Sequence, residues 1–174
     1  MGAATCQLQI GTGGSVSWAN AETGFKWNLS DVQTDTTTPI AIPTATGTVF
    51  SWIKNLVLAV TVTGTTNISN RRISISGSPS TGLNLWFQAV LVASYAQAAS
   101  GNRPASSGSN GATPTSYTAI ATSTTVYDSA SVASSGSGPN GKMAVCVLGV
   151  DNSYTGGAGT AVSTPSVILT YDEA

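Results

Sequence analysis

Apolar and polar residues alternate with a period of two along much of this chain, the spacing of strands that bury one face. Leu56, Leu58, Val60 and Val62 fall on one face of a predicted strand, with Val57, Ala59 and Thr61 on the other. Leu83, Leu85, Phe87, Ala89 and Leu91 alternate in the same way with Asn84, Trp86, Gln88 and Val90. Met143, Val145 and Val147 oppose Ala144, Cys146 and Leu148; a segment apolar on both faces predicts a central strand. A closing strand is predicted over Val167-Ile168-Leu169-Thr170-Tyr171. Weaker candidates are Gln7–Ile10, Phe25–Leu29, Pro39–Ile42, Arg72–Ser76 and Tyr117–Val126.

No window repeats at the helical period, and the many threonines, valines and isoleucines are β-branched, which favours strands. One helical turn is expected around Ser94–Ala99, where alanines follow a strand. Ser78-Pro79-Ser80-Thr81-Gly82 carries turn chemistry and is expected to join its flanking strands as an antiparallel connection. Residues 99–116, 129–141 and 151–164 read as long loops rich in Ser, Gly and Ala. The expected architecture is all-β: a single β-sandwich, jelly-roll-like, over residues 15–174, preceded by an extended N-terminal arm over residues 1–14. Strand spacing leaves jelly-roll and immunoglobulin-like connectivity both open.

Composition narrows the chemistry. Only 7% of the 174 residues are charged and none is histidine, against about a quarter charged in ordinary domains. Polarity comes from 24 serines and 25 threonines. With a net charge of -1 there is no field to steer a phosphate backbone or anionic lipid, so neither nucleic acid nor membrane is an expected partner. The longest apolar stretch, Leu56 to Val62, is too short for a helix to cross a bilayer. The first residues show no basic segment followed by an apolar run, and synthesis in the cytoplasm of a host cell is expected.

Candidate sites are few. A serine nucleophile has no imidazole to activate it. A Ser–Lys dyad would need Lys26, Lys54 or Lys142, and none is expected to form one. Glu22, Asp31, Asp35, Asp128, Asp151, Asp172 and Glu173 are scattered, so no carboxylate pair is expected for hydrolysis. Residues 151–157 lack the alternating oxygen ligands of a calcium loop and read as a turn capped by Asp151 and Asn152. Asp31 and Asp35 with neighbouring threonines could hold a cation, although nothing singles them out. Cys6 and Cys146 read as two unbridged thiols. Asn28-Leu29-Ser30 and Asn67-Ile68-Ser69 are sequons without a secretory context. No catalytic residue, metal or cofactor is expected, and the chain does not read as an enzyme.

Aromatic residues are the better candidates. Phe25 and Trp27 share one strand parity, as do Phe50 and Trp52, which favours packing in a core or subunit interface over a platform for stacking sugars. Trp18, Trp27, Trp52 and Trp86, with the adjacent Arg71 and Arg72, are the candidate interface residues.

Asn70-Arg71-Arg72-Ile73-Ser74-Ile75-Ser76-Gly77, Thr81-Gly82-Leu83-Asn84-Leu85-Trp86-Phe87 and the closing Val167-Ile168-Leu169-Thr170-Tyr171-Asp172-Glu173-Ala174 together resemble the capsid decoration, or cement, proteins of tailed bacteriophages. The resemblance covers the middle of the chain and its last strand. It implies a small β-sandwich, commonly trimeric, that sits on the outside of a virion capsid and staples neighbouring major capsid subunits. Tail-tube and baseplate components share this composition. A carbohydrate-binding or adhesin module using the tryptophans is the alternative from another class.

Overall fold

In a computed structural model of the chain, residues 5–22, 26–32, 34–62, 67–98, 117–132, 139–157 and 166–173 are described. They form ten strands: β1 (Thr5–Thr12), β2 (Ser17–Asn20), β3 (Thr48–Phe50), β4 (Lys54–Val62), β5 (Ile68–Ser76), β6 (Leu83–Leu91), β7 (Thr118–Ala119), β8 (Thr125–Asp128), β9 (Lys142–Asp151) and β10 (Ser166–Glu173). The chain is all-β, with two antiparallel sheets. The larger has seven strands in the order β2-β1-β4-β9-β6-β7, with β3 also paired to β9; the smaller has the order β10-β5-β8. The sole helical element among the described residues is a 3₁₀ turn at Val92–Ser94, just ahead of the expected position.

β9 is central, as its doubly apolar pattern predicts. Its register with β6 runs from Leu83 opposite Val150 to Leu91 opposite Lys142. Its other edge pairs with Thr48–Phe50 at one end and Lys54–Leu56 at the other. Between those two pairings, Ser51 replaces a normal ladder step. Its amide donates to Leu148 O at 2.8 Å, and its Oγ accepts from Leu148 N at 3.0 Å.

Ile10, Leu56, Leu83, Leu85, Phe87, Ala144, Cys146 and Leu148 of the larger sheet share one buried cluster with Ile73, Ile75 and Tyr127 of the smaller. A second cluster lies on the opposite face of the larger sheet: Val57, Ala59, Met143 and Val145, with Ile53 and Ala98, lie under Trp18, Trp52, Val90, Val92 and Tyr95. Both faces of β4 and β9 are therefore buried.

Several expectations are corrected. Residues 5–12 are not part of an arm: β1 pairs along its length with β4, then with β2, and Ile10 is fully enclosed. The turn at 77–82 does not join paired strands, because β5 belongs to the smaller sheet and β6 to the larger. The described parts of 25–29 and 39–42 contain no strand; side-chain hydrogen bonds of Asn28 and Asp35 hold the first of these in a loop. Within 117–126 the chain forms β7 and begins β8, in different sheets. The loop expected over 99–116 falls wholly outside the described residues, as do parts of those at 129–141 and 151–164.

Candidate functional site

With little charge to place, the positions of the charged side chains are informative. Arg71, Asp128 and Lys54 are buried. Arg71 of β5 pairs with Asp128 of β8 through Nη2 and Oδ2, with side-chain exposures of 1% and 2%. Nη1 donates to Asn140 O at 2.5 Å. The carboxylate also accepts from Lys142 N at 2.7 Å and Ala130 N at 3.0 Å. This network pins the start of β9 to the smaller sheet. Gly141 closes over it at φ +73°, and a Cβ there would collide with the guanidinium.

Lys54, at the start of β4, is enclosed by the loop at 28–38. Its Nζ donates to Asn28 Oδ1 at 2.6 Å and to Ser30 O at 2.5 Å. The Asn28 amide, 2% exposed, donates through Nδ2 to Val32 O at 3.1 Å and Asp35 O at 2.9 Å. Burial pulls the pKa of Lys54 down to about 8, opposed by the charges of Asp31 and Asp35. The ammonium thus stands where a cation between those two acids would. Asp31 instead accepts from Gly13 N at 2.6 Å and Gln97 Nε2 at 3.1 Å. Thr37 and Thr38 hydrogen-bond Asp35 and hold its carboxyl down at about 2. No group of three metal-ligating side chains occurs among the described residues. Enclosure of Asn28 also removes the first sequon from the surface of the folded chain.

Ser51-Trp52-Ile53-Lys54 has the Ser-x-x-Lys spacing in which a Ser–Lys dyad could form. The Ser51 hydroxyl, however, donates to Trp52 O at 2.8 Å while accepting from Leu148 N, and the Lys54 amine is turned to the loop. The pair is built as two separate structural contacts. Asp151 forms the expected turn, accepting from Ser153 N at 2.8 Å and Ser153 Oγ at 2.5 Å. Both cysteines are unbridged; burial raises both thiol pKa values and keeps Cys146, wholly enclosed in β9, protonated.

The six candidate interface residues do not converge. Trp18 meets Tyr95 edge-on, with ring centroids 5.8 Å apart, above Gly11; a Cβ on Gly11 would come within 3.0 Å of the indole. Trp86 meets Phe50 at 5.7 Å above Gly149, where a Cβ would lie 2.6 Å from the Trp86 ring. Trp52 packs on the second cluster, while Trp27 packs on the cluster shared by the two sheets. Two glycines thus leave room for aromatic pairs lying on the larger sheet, a use of glycine that periodicity alone does not reveal. Arg71 is enclosed, whereas Arg72 faces outward in an ion pair with Asp172 at 2.6 Å.

The outer face of the smaller sheet is different in character. Val126, Arg72 and Thr170 lie in one row, and Ser74, itself buried, is opposite Ile168 in the next. Val126 is 47% exposed and Ile168 39% exposed. Hydroxyl and apolar side chains make up most of this face. No helix among the described residues is long and apolar enough to cross a membrane. No protein-family model, curated protein or solved structure matches the chain.

Proposed function

We propose that the chain is a non-enzymatic structural protein of a tailed-phage virion, a decoration protein that binds the outer surface of the capsid and braces contacts between major capsid subunits. In this reading the two sheets form a jelly-roll-like β-sandwich and the working unit is a homo-oligomer, a trimer. Connectivity supports the sandwich: the chain changes sheet between β4 and β5, β5 and β6, β7 and β8, β8 and β9, and β9 and β10.

The observation that carries the function is the placement of charge. Three of a small set of charged residues are enclosed, and Arg72 and Asp172 are paired with each other. The outer face of β10-β5-β8 carries this mutually neutralised pair beside exposed Val126, Ile168 and Thr170. A surface meant to remain in water carries mixed charge. Interface cores are depleted of charge, because each buried unpaired charge would have to shed its hydration. A part that spends its working life covered by neighbours is consistent with both. Packing of Trp18 and Trp52 into the second cluster leaves these two rings poorly suited to a carbohydrate platform.

Immunogold labelling of phage particles from cells that express the chain tests this reading. Gold should decorate the capsid shell. Label on tails alone would transfer the protein to the tube or baseplate, and absence from particles would overturn a virion role.

A further inference from the structure

Lys54 is a buried nucleophile held against an amide, and nothing else among the described residues uses its nucleophilicity. From this juxtaposition we propose that Lys54 and Asn28 form an intramolecular isopeptide bond that fastens the loop at 28–38 to the start of β4.

Four features of the geometry favour the reaction. Nζ lies 2.6 Å from Asn28 Oδ1, which puts the amide carbon one bond further on. Hydrogen bonds from Nδ2 to Val32 O and Asp35 O stop the amide from turning away. Ser30 N donates to Oδ1 at 3.3 Å, in place to stabilise charge that develops on that oxygen. Exposures of 1% and 2% for the two residues exclude the water that would otherwise compete. Positioning of this kind can reach effective molarities of about 10⁵–10⁸ M. It is needed here, because amines attack amides slowly in water.

The chemistry balances within the chain. Neutral Nζ attacks Cγ of Asn28, forming the Nζ–Cγ bond. The Cγ–Nδ2 bond breaks, one Nζ proton passes to the departing nitrogen, and ammonia leaves. Depression of the Lys54 pKa to about 8 supplies the neutral amine near physiological pH. Asp31 and Asp35 provide the negative field that steadies the nitrogen as it becomes cationic in the attack. No oxidant or further reactant is required.

Mass spectrometry of the full-length protein, unfolded after purification, decides the matter. The expected mass is one ammonia below that of the sequence. Trypsin should fail to cut after Lys54, giving a single 27–71 peptide one ammonia light whose backbone fragment ions are absent between residues 28 and 54. Lys54→Arg should restore the missing mass. An intact mass equal to that of the sequence overturns the proposal. So does ammonia loss with normal cleavage after Lys54, which is the signature of a succinimide. Neither of these results depends on a variant folding, and neither touches the virion reading.

Discussion

Asp128→Asn keeps the shape of the buried Arg71–Asp128 site and removes its negative charge. Arg71 is fully enclosed, so its guanidinium cannot recover hydration; in the wild type Asp128 and Asn140 O are its described partners. Removing one member of a buried pair costs about 3–5 kcal/mol, because the remaining charge stays desolvated. That is a fifth or more of the roughly 5–15 kcal/mol that holds a typical domain folded. Arg71→Met should fall at the low end of the same range, because the Asp128 carboxylate keeps the amides of Lys142 and Ala130. The double variant should cost well below the sum, with a coupling of about 2–3 kcal/mol. Urea unfolding followed by tryptophan fluorescence would give the cycle. The midpoint differences should persist in high salt, since a buried pair is poorly screened. Single variants that each cost under about 1 kcal/mol, or a strictly additive double, would refute the assignment.

Other consequences are quicker to test. Gly141→Ala forces a side chain into both a left-handed backbone conformation and the guanidinium of Arg71, and should destabilise at least as much as a typical overpacking change, about 1–3 kcal/mol in urea. Gly149→Ala should cost a similar amount and weaken the near-ultraviolet circular dichroism of Trp86 as the Phe50 contact is displaced. Deleting residues 1–14 removes β1 and opens the cluster around Ile10, so circular dichroism should report an unfolded chain rather than a trimmed one. Burial lifts Tyr95 and Tyr171 to about 12 and raises Cys146. The unfolded chain loses these protons earlier, so stability from these groups should be complete below about pH 9 and decline as pH rises towards 12; a thermal midpoint that stays flat over that span contradicts their burial.

The alternation of apolar residues identified the strands best where burial alone decides conformation. β4, β6, β9 and β10 were all visible in this way, and the central place of β9 followed from its two apolar faces. The pattern failed where a polar side chain organises the backbone. Residues 26–29 alternate acceptably, yet Asn28 donates its amide hydrogens to Val32 O and Asp35 O and keeps the chain in a loop around Lys54. Nothing local marks Lys54 as buried, since its oxygen partners lie more than twenty residues away. The arginine pair shows the same limit: the pleat requires Arg71 and Arg72 to face opposite ways, but Asp128 and Asp172, which take them up, are set by the fold. At the N-terminus the weak alternation over Gln7–Ile10 marks a true strand, since Leu8 and Ile10 suffice to place it beside β4, whereas the glutamines and glycines around it read as an arm that residues 5–12 do not form.

Light scattering coupled to size-exclusion chromatography of the purified chain, over a range of micromolar concentrations, tests the central claim most directly. A part built to be covered should elute as a stable trimer with no pH-dependent dissociation between about 5 and 8, because no histidine titrates there. A monomer at every concentration, and above all one that is retained on immobilised polysaccharide, would contradict it.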